Sequence, residues 1–68
     1  MDARAITKVE TYLRGAFANA RIVVKPRKQS DSCEVYIGDE FIGVMFLDDE
    51  DDDKSYNFQM AILETDLE

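Results

Sequence analysis

The sequence predicts an α+β domain in which one N-terminal helix packs on one face of a four-stranded, mainly antiparallel sheet, in the order α-β-β-β-β. An apolar stripe recurs at three- and four-residue spacing over residues 3–18, which is typical of an amphipathic helix. Segments of alternating polarity follow it, as in half-buried strands. Turn-forming residues and a run of six acids separate these segments. At 68 residues, the chain is expected to form a single small domain, 1–68.

The helix is predicted over residues 3–18. Asp2 is a favourable N-cap, and Asn19 is the expected left-handed residue that ends the helix. The stripe that should face the sheet consists of Ile6, Val9, Leu13, Ala16 and Phe17.

The first three strands are predicted at residues 21–25, 33–37 and 41–47. Pro26 ends the first strand or places it at a sheet edge, because proline cannot donate to a ladder. Gly38 and Asp39 favour a tight hairpin between the second and third strands. The first strand could flank either edge of this hairpin unit, so strand order stays open.

The fourth strand is predicted at residues 55–63, after an acidic loop at 48–54. A helix over 58–64 is the alternative, although the apolar residues there do not gather on one helical face. The loop holds the uninterrupted run Asp48, Asp49, Glu50, Asp51, Asp52 and Asp53, which must stay solvated because burying unpaired carboxylates is very costly.

Continuous alternation through a two-residue turn assigns each side chain to one face of the sheet. The face covered by the helix should carry Ile22, Val24, Cys33, Val35, Ile37, Ile42, Val44, Phe46, Phe58, Met60 and Ile62. One helix covers one face only, and an exposed apolar patch usually marks an interaction surface. The predicted interaction residues on the uncovered face are Val23, Tyr36, Phe41, Met45 and Leu63.

Charge is strongly segregated along the chain, whose formal net charge is −7. Residues 1–30 hold seven bases and two acids, net +5, whereas residues 31–68 hold one base and thirteen acids, net −12. The basic segment 21–28 could contact nucleic-acid phosphates, with Tyr36 and Phe41 stacking on bases. The acidic run 48–53 could bind a divalent cation or a basic partner. The net negative charge disfavours nucleic acid.

Several classes of protein are not expected. The chain has no histidine and a single cysteine, Cys33, which leaves no internal disulfide and no zinc site of ordinary composition. Without histidine and without a serine beside an evident base, an enzyme is not expected, and neither is a cofactor. The longest apolar run, residues 41–47, is far below the about 20 residues of a membrane-spanning helix. The amphipathic, charged N-terminus lacks a signal-peptide pattern, so a cytoplasmic protein is expected.

Two stretches resemble a known family. They are residues 34–44, Glu-Val-Tyr-Ile-Gly-Asp-Glu-Phe-Ile-Gly-Val, followed by residues 58–63, Phe-Gln-Met-Ala-Ile-Leu, together with Tyr12-Leu13-Arg14 in the helix. The chain is similar over nearly its whole length to short alphaproteobacterial proteins catalogued as domain of unknown function 3126. The resemblance implies a bacterial cytosolic protein of one domain and carries over no catalytic, ligand or metal residue.

The sequence therefore favours a small non-enzymatic interaction module. Its partner would be a second copy of the chain or another protein, bound through the uncovered sheet face. The alternative is weak binding of nucleic acid through segment 21–28 or of a cation through the run 48–53.

Overall fold

A computed structural model describes residues 1–49 and 53–68. It contains α1 (Ala3–Ala16), β1 (Ile22–Pro26), β2 (Ser32–Ile37), β3 (Glu40–Asp48), β4 (Ser55–Gln59) and a 3-10 helix (Glu64–Leu67). The strands form one antiparallel sheet in the order β1-β2-β3-β4. The predicted fold class is confirmed, and the open question of strand order is resolved because β1 flanks β2.

Helix α1 starts as predicted and ends earlier. The Asp2 carboxylate accepts the backbone N–H of Ala5 at 2.8 Å, which is the capping bond expected of an aspartate at this position. At the other end, the N–H of Asn19 bonds the carbonyl of Arg14 and the N–H of Ala18 bonds that of Gly15. This is a Schellman ending, and the residue in the left-handed conformation is Ala18, with φ +51°, rather than Asn19.

Asn19 stabilises the connection to β1 instead of adopting the left-handed conformation. Its side-chain oxygen accepts the backbone N–H of Arg21 at 2.9 Å, forming a local turn. The prediction that Asn19 is the left-handed residue is therefore wrong, although the site where the helix stops is close to the predicted one.

The helix packs along β1, which is one edge of the sheet. Val9 and Leu13 are its buried residues. Two polar side chains of α1 reach the outer edge of β1, where Glu10 accepts the backbone N–H of Val24 at 2.9 Å and Arg14 donates to the carbonyl of Ile22 at 2.7 Å. Glu10 and Arg14 also form an ion pair at 3.3 Å. The helix thus satisfies backbone groups that an edge strand otherwise exposes.

The β2–β3 hairpin contains the two-residue turn that the sequence indicates. Ile37 pairs with Glu40, and Gly38 has φ +60° at the first central position, as a type II′ turn requires. Further from the turn, Tyr36 pairs with Phe41 but Val35 pairs with Gly43, so Ile42 is the extra residue of a β-bulge.

The bulge reverses the facing of the rest of β3. Met45 pairs with Cys33 and is 4% exposed in the core, whereas Val44 pairs with Glu34 on the other face. The prediction that Met45 lies on the uncovered face is therefore wrong. The predicted covered positions of Val44 and Phe46 are wrong for the same reason, since a one-residue shift moves every following side chain to the opposite face.

The core lies between α1 and the sheet. Its members are Val9, Leu13, Ile22, Val24, Cys33, Val35 and Met45, and Met1, Ile6, Ile37, Ile42 and Phe58 pack against them. Ile22, Val24, Cys33, Val35, Ile37, Ile42 and Phe58 thus lie where the sequence places them.

Strand β4 is shorter than predicted. Its pairing with β3 stops at Val44 and Gln59, immediately before Gly43 and the bulge. Residues 60–63 are therefore outside the sheet, and Met60 and Ile62 are exposed rather than covered. The helical alternative for 58–64 is also wrong, because the 3-10 helix begins only at Glu64.

Candidate functional site

The face of the sheet opposite α1 is the first candidate site, and we call it the open face. Strand pairing places Val23 beside Tyr36, and Tyr36 beside Phe41. Val44 and Phe46 follow the bulge on the same side. The helix packs on the other side, and the 3-10 helix has no buried residue. The apolar residues of the open face are Val23, Tyr36, Phe41, Val44 and Phe46.

Tyr36 is held at the centre of the open face by three neighbours. The Phe41 ring meets it edge-on, with centroids 5.6 Å apart and an interplanar angle of 74°. The Lys25 ammonium lies 4.6 Å from the Tyr36 ring centroid. The Tyr36 hydroxyl donates to Glu34 at 2.8 Å, and this bond, together with desolvation and the Glu34 charge, raises the pKa of Tyr36. The aromatic pair is therefore preorganised.

These contacts also bear on the nucleic-acid alternative. A stacking platform needs a free aromatic face, and Lys25 already lies against one face of Tyr36. Arg27 is engaged as well, since its guanidinium lies 3.9 Å from the Glu34 carboxylate. Two of the four bases in segment 21–28 thus have partners within the fold.

Only some of the predicted interaction residues lie on the open face. Val23 and Tyr36 are half-buried on the open face and Phe41 is 52% exposed there, as the alternation indicates. Leu63 is exposed but lies beyond β4, and Met45 belongs to the core. Sequence reasoning missed Val44 and Phe46. Gly43 was the available sign, because a glycine inside a strand often marks a bulge or a close backbone approach.

Gly43 fulfils the second of those two roles. A Cβ at this position would lie 2.5 Å from the carbonyl oxygen of Gln59 and 2.7 Å from the Phe58 ring. Only glycine lets β3 and β4 approach this closely beside the bulge.

A groove between α1 and β4 is the second candidate site, and we call it the α1–β4 groove. It arises because α1 lies over β1 and leaves the β4 side of the same sheet face less covered. Its volume is about 530 Å³, within the range of ligand pockets. The apolar lining consists of Val9, Tyr12, Leu13, Met45, Tyr56 and Phe58. Lys8 and Lys54 are its charged residues.

The acidic run is only partly within the described residues. Asp48 is the last residue of β3 and pairs with Ser55, so the predicted loop 48–54 begins one residue too early. Asp49 and Asp53 are exposed. Glu50, Asp51 and Asp52 lie outside the described residues. Among residues 1–49 and 53–68, no group of three or more cysteine, aspartate and glutamate side chains could hold a metal ion.

Cys33 is part of the core. Its side chain is fully buried, and this burial raises the pKa of the Cys33 thiol against a smaller opposing effect of the N-terminal ammonium. A thiol held in its protonated form is a poor nucleophile. In the described part of the chain, no helix has the length and apolar character needed to span a membrane.

Taken together, these elements define a small α+β protein in which helix α1 leaves one sheet face open and a groove beside β4. Residues 5–66 match the family model described as Protein of unknown function (DUF3126), so the chain belongs to this family. This match confirms the family resemblance found in the sequence. Neither the search of curated proteins nor that of solved structures gave a significant match.

Proposed function

We propose that this protein is a non-enzymatic interaction module that binds a protein partner through the open face of its sheet. The observation that carries the proposal is the row Val23, Tyr36 and Phe41, which crosses β1, β2 and β3 on the side away from α1. Antiparallel sheets that face water usually show polar side chains there. An aromatic and aliphatic row with charged neighbours is instead typical of an interface.

The polar surroundings of this row favour a protein partner. Lys25, Arg27 and Glu34 form a fixed border of both charges around the aromatic pair. Such a border matches the polar rim of protein interfaces, which sets orientation, while the aromatic centre contributes most of the affinity. The same arrangement contains no histidine, serine or cysteine side chain, which supports a binding role over catalysis.

We also propose that the protein is cytoplasmic. The sole cysteine is a free thiol, as is usual in reducing compartments.

The first experiment compares capture of partners and self-association by three forms of the protein. Phe41→Glu places a charge on the open face, where Phe41 is 52% exposed. Thr11→Glu is the matched control, because it adds the same charge at an exposed helix position outside both candidate sites. We expect Phe41→Glu to weaken binding at least roughly tenfold, as for central aromatic residues of interfaces, whereas Thr11→Glu binds like the unmodified protein.

A captured protein counts as a partner only if Thr11→Glu retains it and Phe41→Glu does not. Light scattering after size exclusion measures self-association of the same variants. Partners retained equally by Phe41→Glu and Thr11→Glu would contradict the proposal.

Salt separates this proposal from the charge-driven alternative. Apolar association through the open face should survive about 0.5 M salt, whereas binding of nucleic acid or cations through charged segments should fall steeply. Loss of binding at high salt would favour the alternative through segment 21–28 or the run 48–53.

A further inference from the structure

The α1–β4 groove exposes apolar surface that its own chain leaves uncovered. Tyr12 is 73% exposed and Tyr56 is 42% exposed at its sides, above a floor that includes Val9 and Met45. The two lysines that line the groove, Lys8 and Lys54, are both exposed. Both charged residues of the groove lining are basic, although Asp53 next to Lys54 is also exposed, and a basic lining fits an amphipathic segment that carries acids.

The chain itself contains a segment of this chemistry. Residues 60–68, which we call the C-terminal segment, follow β4 and are all exposed. Their large apolar side chains are 47% to 75% exposed, and three acids lie in the second half of the segment. The apolar members are Met60, Ile62, Leu63 and Leu67, and the acids are Glu64, Asp66 and Glu68.

The two edges of the sheet differ in their capacity to pair with another strand. Glu10 and Arg14 occupy the N–H of Val24 and the carbonyl of Ile22 on the outer edge of β1. At the opposite edge, β4 is paired with β3 alone within residues 1–49 and 53–68. A second chain can therefore extend the sheet at β4, whereas two outward-facing backbone groups of β1 are already occupied.

Antiparallel pairing of two β4 strands would bring the segment and the groove together. In such a pair, the end of one strand lies beside the beginning of the other. Residues that follow Gln59 in one copy then pass Ser55 and Lys54 of its partner, which line the partner's groove.

We infer that the occupant of the α1–β4 groove is the C-terminal segment of a second copy of the chain, in a reciprocal dimer paired through β4. Ile62, Leu63 and Leu67 enter the groove, where they cover apolar surface of Tyr12 and Tyr56. Glu64 and Glu68 lie near Lys8 and Lys54 of the partner. The groove lies on the α1 side of the sheet, away from the open face, although Met60 and Ala61 at the start of the segment line a pocket with Phe41, Val44 and Phe46.

A charge-exchange experiment tests this pairing. The first variant reverses the groove with Lys8→Glu and Lys54→Glu, and the second reverses the segment with Glu64→Lys and Glu68→Lys. All four positions are exposed, so the fold should persist, which circular dichroism verifies. Asp66 is left unchanged because its carboxylate accepts the N–H of Leu63 at 3.0 Å.

Sedimentation equilibrium then measures dimerisation of each variant and of their equimolar mixture. Each variant alone places like charges in both contacts of a homodimer, so we expect its dissociation constant to rise at least roughly tenfold. The mixture restores opposite charges in both contacts and should form a heterodimer as tightly as the unmodified chain dimerises.

Three results would overturn the inference: an unmodified chain that stays monomeric at millimolar concentration, variants that dimerise unchanged, or a mixture that fails to recover dimerisation. A segment that folded into its own groove would give the first result. Failure here leaves the open-face proposal intact, because that proposal depends on Phe41→Glu. Loss of dimerisation in Phe41→Glu alone would assign the dimer to the open face and reject the groove.

Discussion

At the residue scale, Ala18 adopts a conformation that its side chain disfavours. Its φ of +51° completes the Schellman ending of α1, a position that glycine normally occupies. A left-handed non-glycine residue costs about 1–2 kcal/mol because its Cβ crowds the backbone. The bonds that Asn19 and Ala18 donate to the last turn of the helix hold the residue there.

We predict that Ala18→Gly raises the free energy of unfolding by about 1 kcal/mol, since it removes this crowding at a site glycine adopts readily. Urea denaturation followed by circular dichroism measures the change. Ala20→Gly is the matched control, because Ala20 is also exposed and its φ is not positive, so glycine there should lower stability. Equal effects of the two substitutions would show that the conformation of Ala18 is not the cause.

At the element scale, the contact between α1 and β1 depends on polar side chains as well as on the core. Val9 and Leu13 are the buried residues of the helix, while Glu10 and Arg14 form hydrogen bonds with the backbone of β1. Removing the charged acceptor of a buried or half-buried backbone N–H lowers the free energy of unfolding by about 1–3 kcal/mol.

We predict that Glu10→Ala lowers the free energy of unfolding by about 1–3 kcal/mol because the N–H of Val24 loses its acceptor. Glu10→Gln keeps an acceptor oxygen and should lose less. Amide hydrogen exchange should quicken at Val24 before it quickens at the β1 amides that face β2. Thr11→Ala, at the neighbouring exposed position, is the control, and a loss as large as that of Glu10→Ala would argue against the edge contact.

At the scale of the whole molecule, the bulge at Ile42 decides which side chains form the core and which form the open face. Met45 is 4% exposed and Phe46 is 38% exposed, although they are adjacent in β3. Replacing either residue with glutamate therefore tests which face of the sheet its side chain occupies.

We predict that Met45→Glu prevents folding, because an unpaired buried carboxylate costs more than a chain of this size can offset. Phe46→Glu should keep the fold and lose about 1 kcal/mol, since its side chain is partly solvated. Dispersion of amide signals in NMR spectra separates the two outcomes. A folded Met45→Glu protein and an unfolded Phe46→Glu protein would place the bulge elsewhere.

The sequence predicts much of this architecture because the relevant forces are local. The stripe through Val9 and Leu13, the Asp2 cap and the Gly38 turn each follow from side-chain chemistry within a few residues. The facing of Met45 does not, since alternation continues unchanged across a bulge that depends on pairing with a distant strand.

Dependence on contacts between distant parts of the chain also explains why the fourth strand was predicted too long and why the groove was not predicted. Alternation in residues 60–63 matches a strand, yet pairing ends at Gln59, where β3 approaches its bulge. The α1–β4 groove depends on where the helix lies across the sheet, which no residue pattern within the helix determines. The open face was predicted as a surface, and three of its five apolar residues were identified.

The contacts of Glu10 and Arg14 with β1 also limit how large an assembly can grow. A sheet with two unpaired edges can add copies at both and lengthen without end, as in fibrils. Here two outward-facing backbone groups of one edge strand, β1, are hydrogen-bonded to the helix of the same chain. Two copies joined through β4 would form a sheet of eight strands, twice the four of each sheet, and would expose only these β1 edges. In such a dimer, the side chains of Glu10 and Arg14 would hinder the addition of further strands.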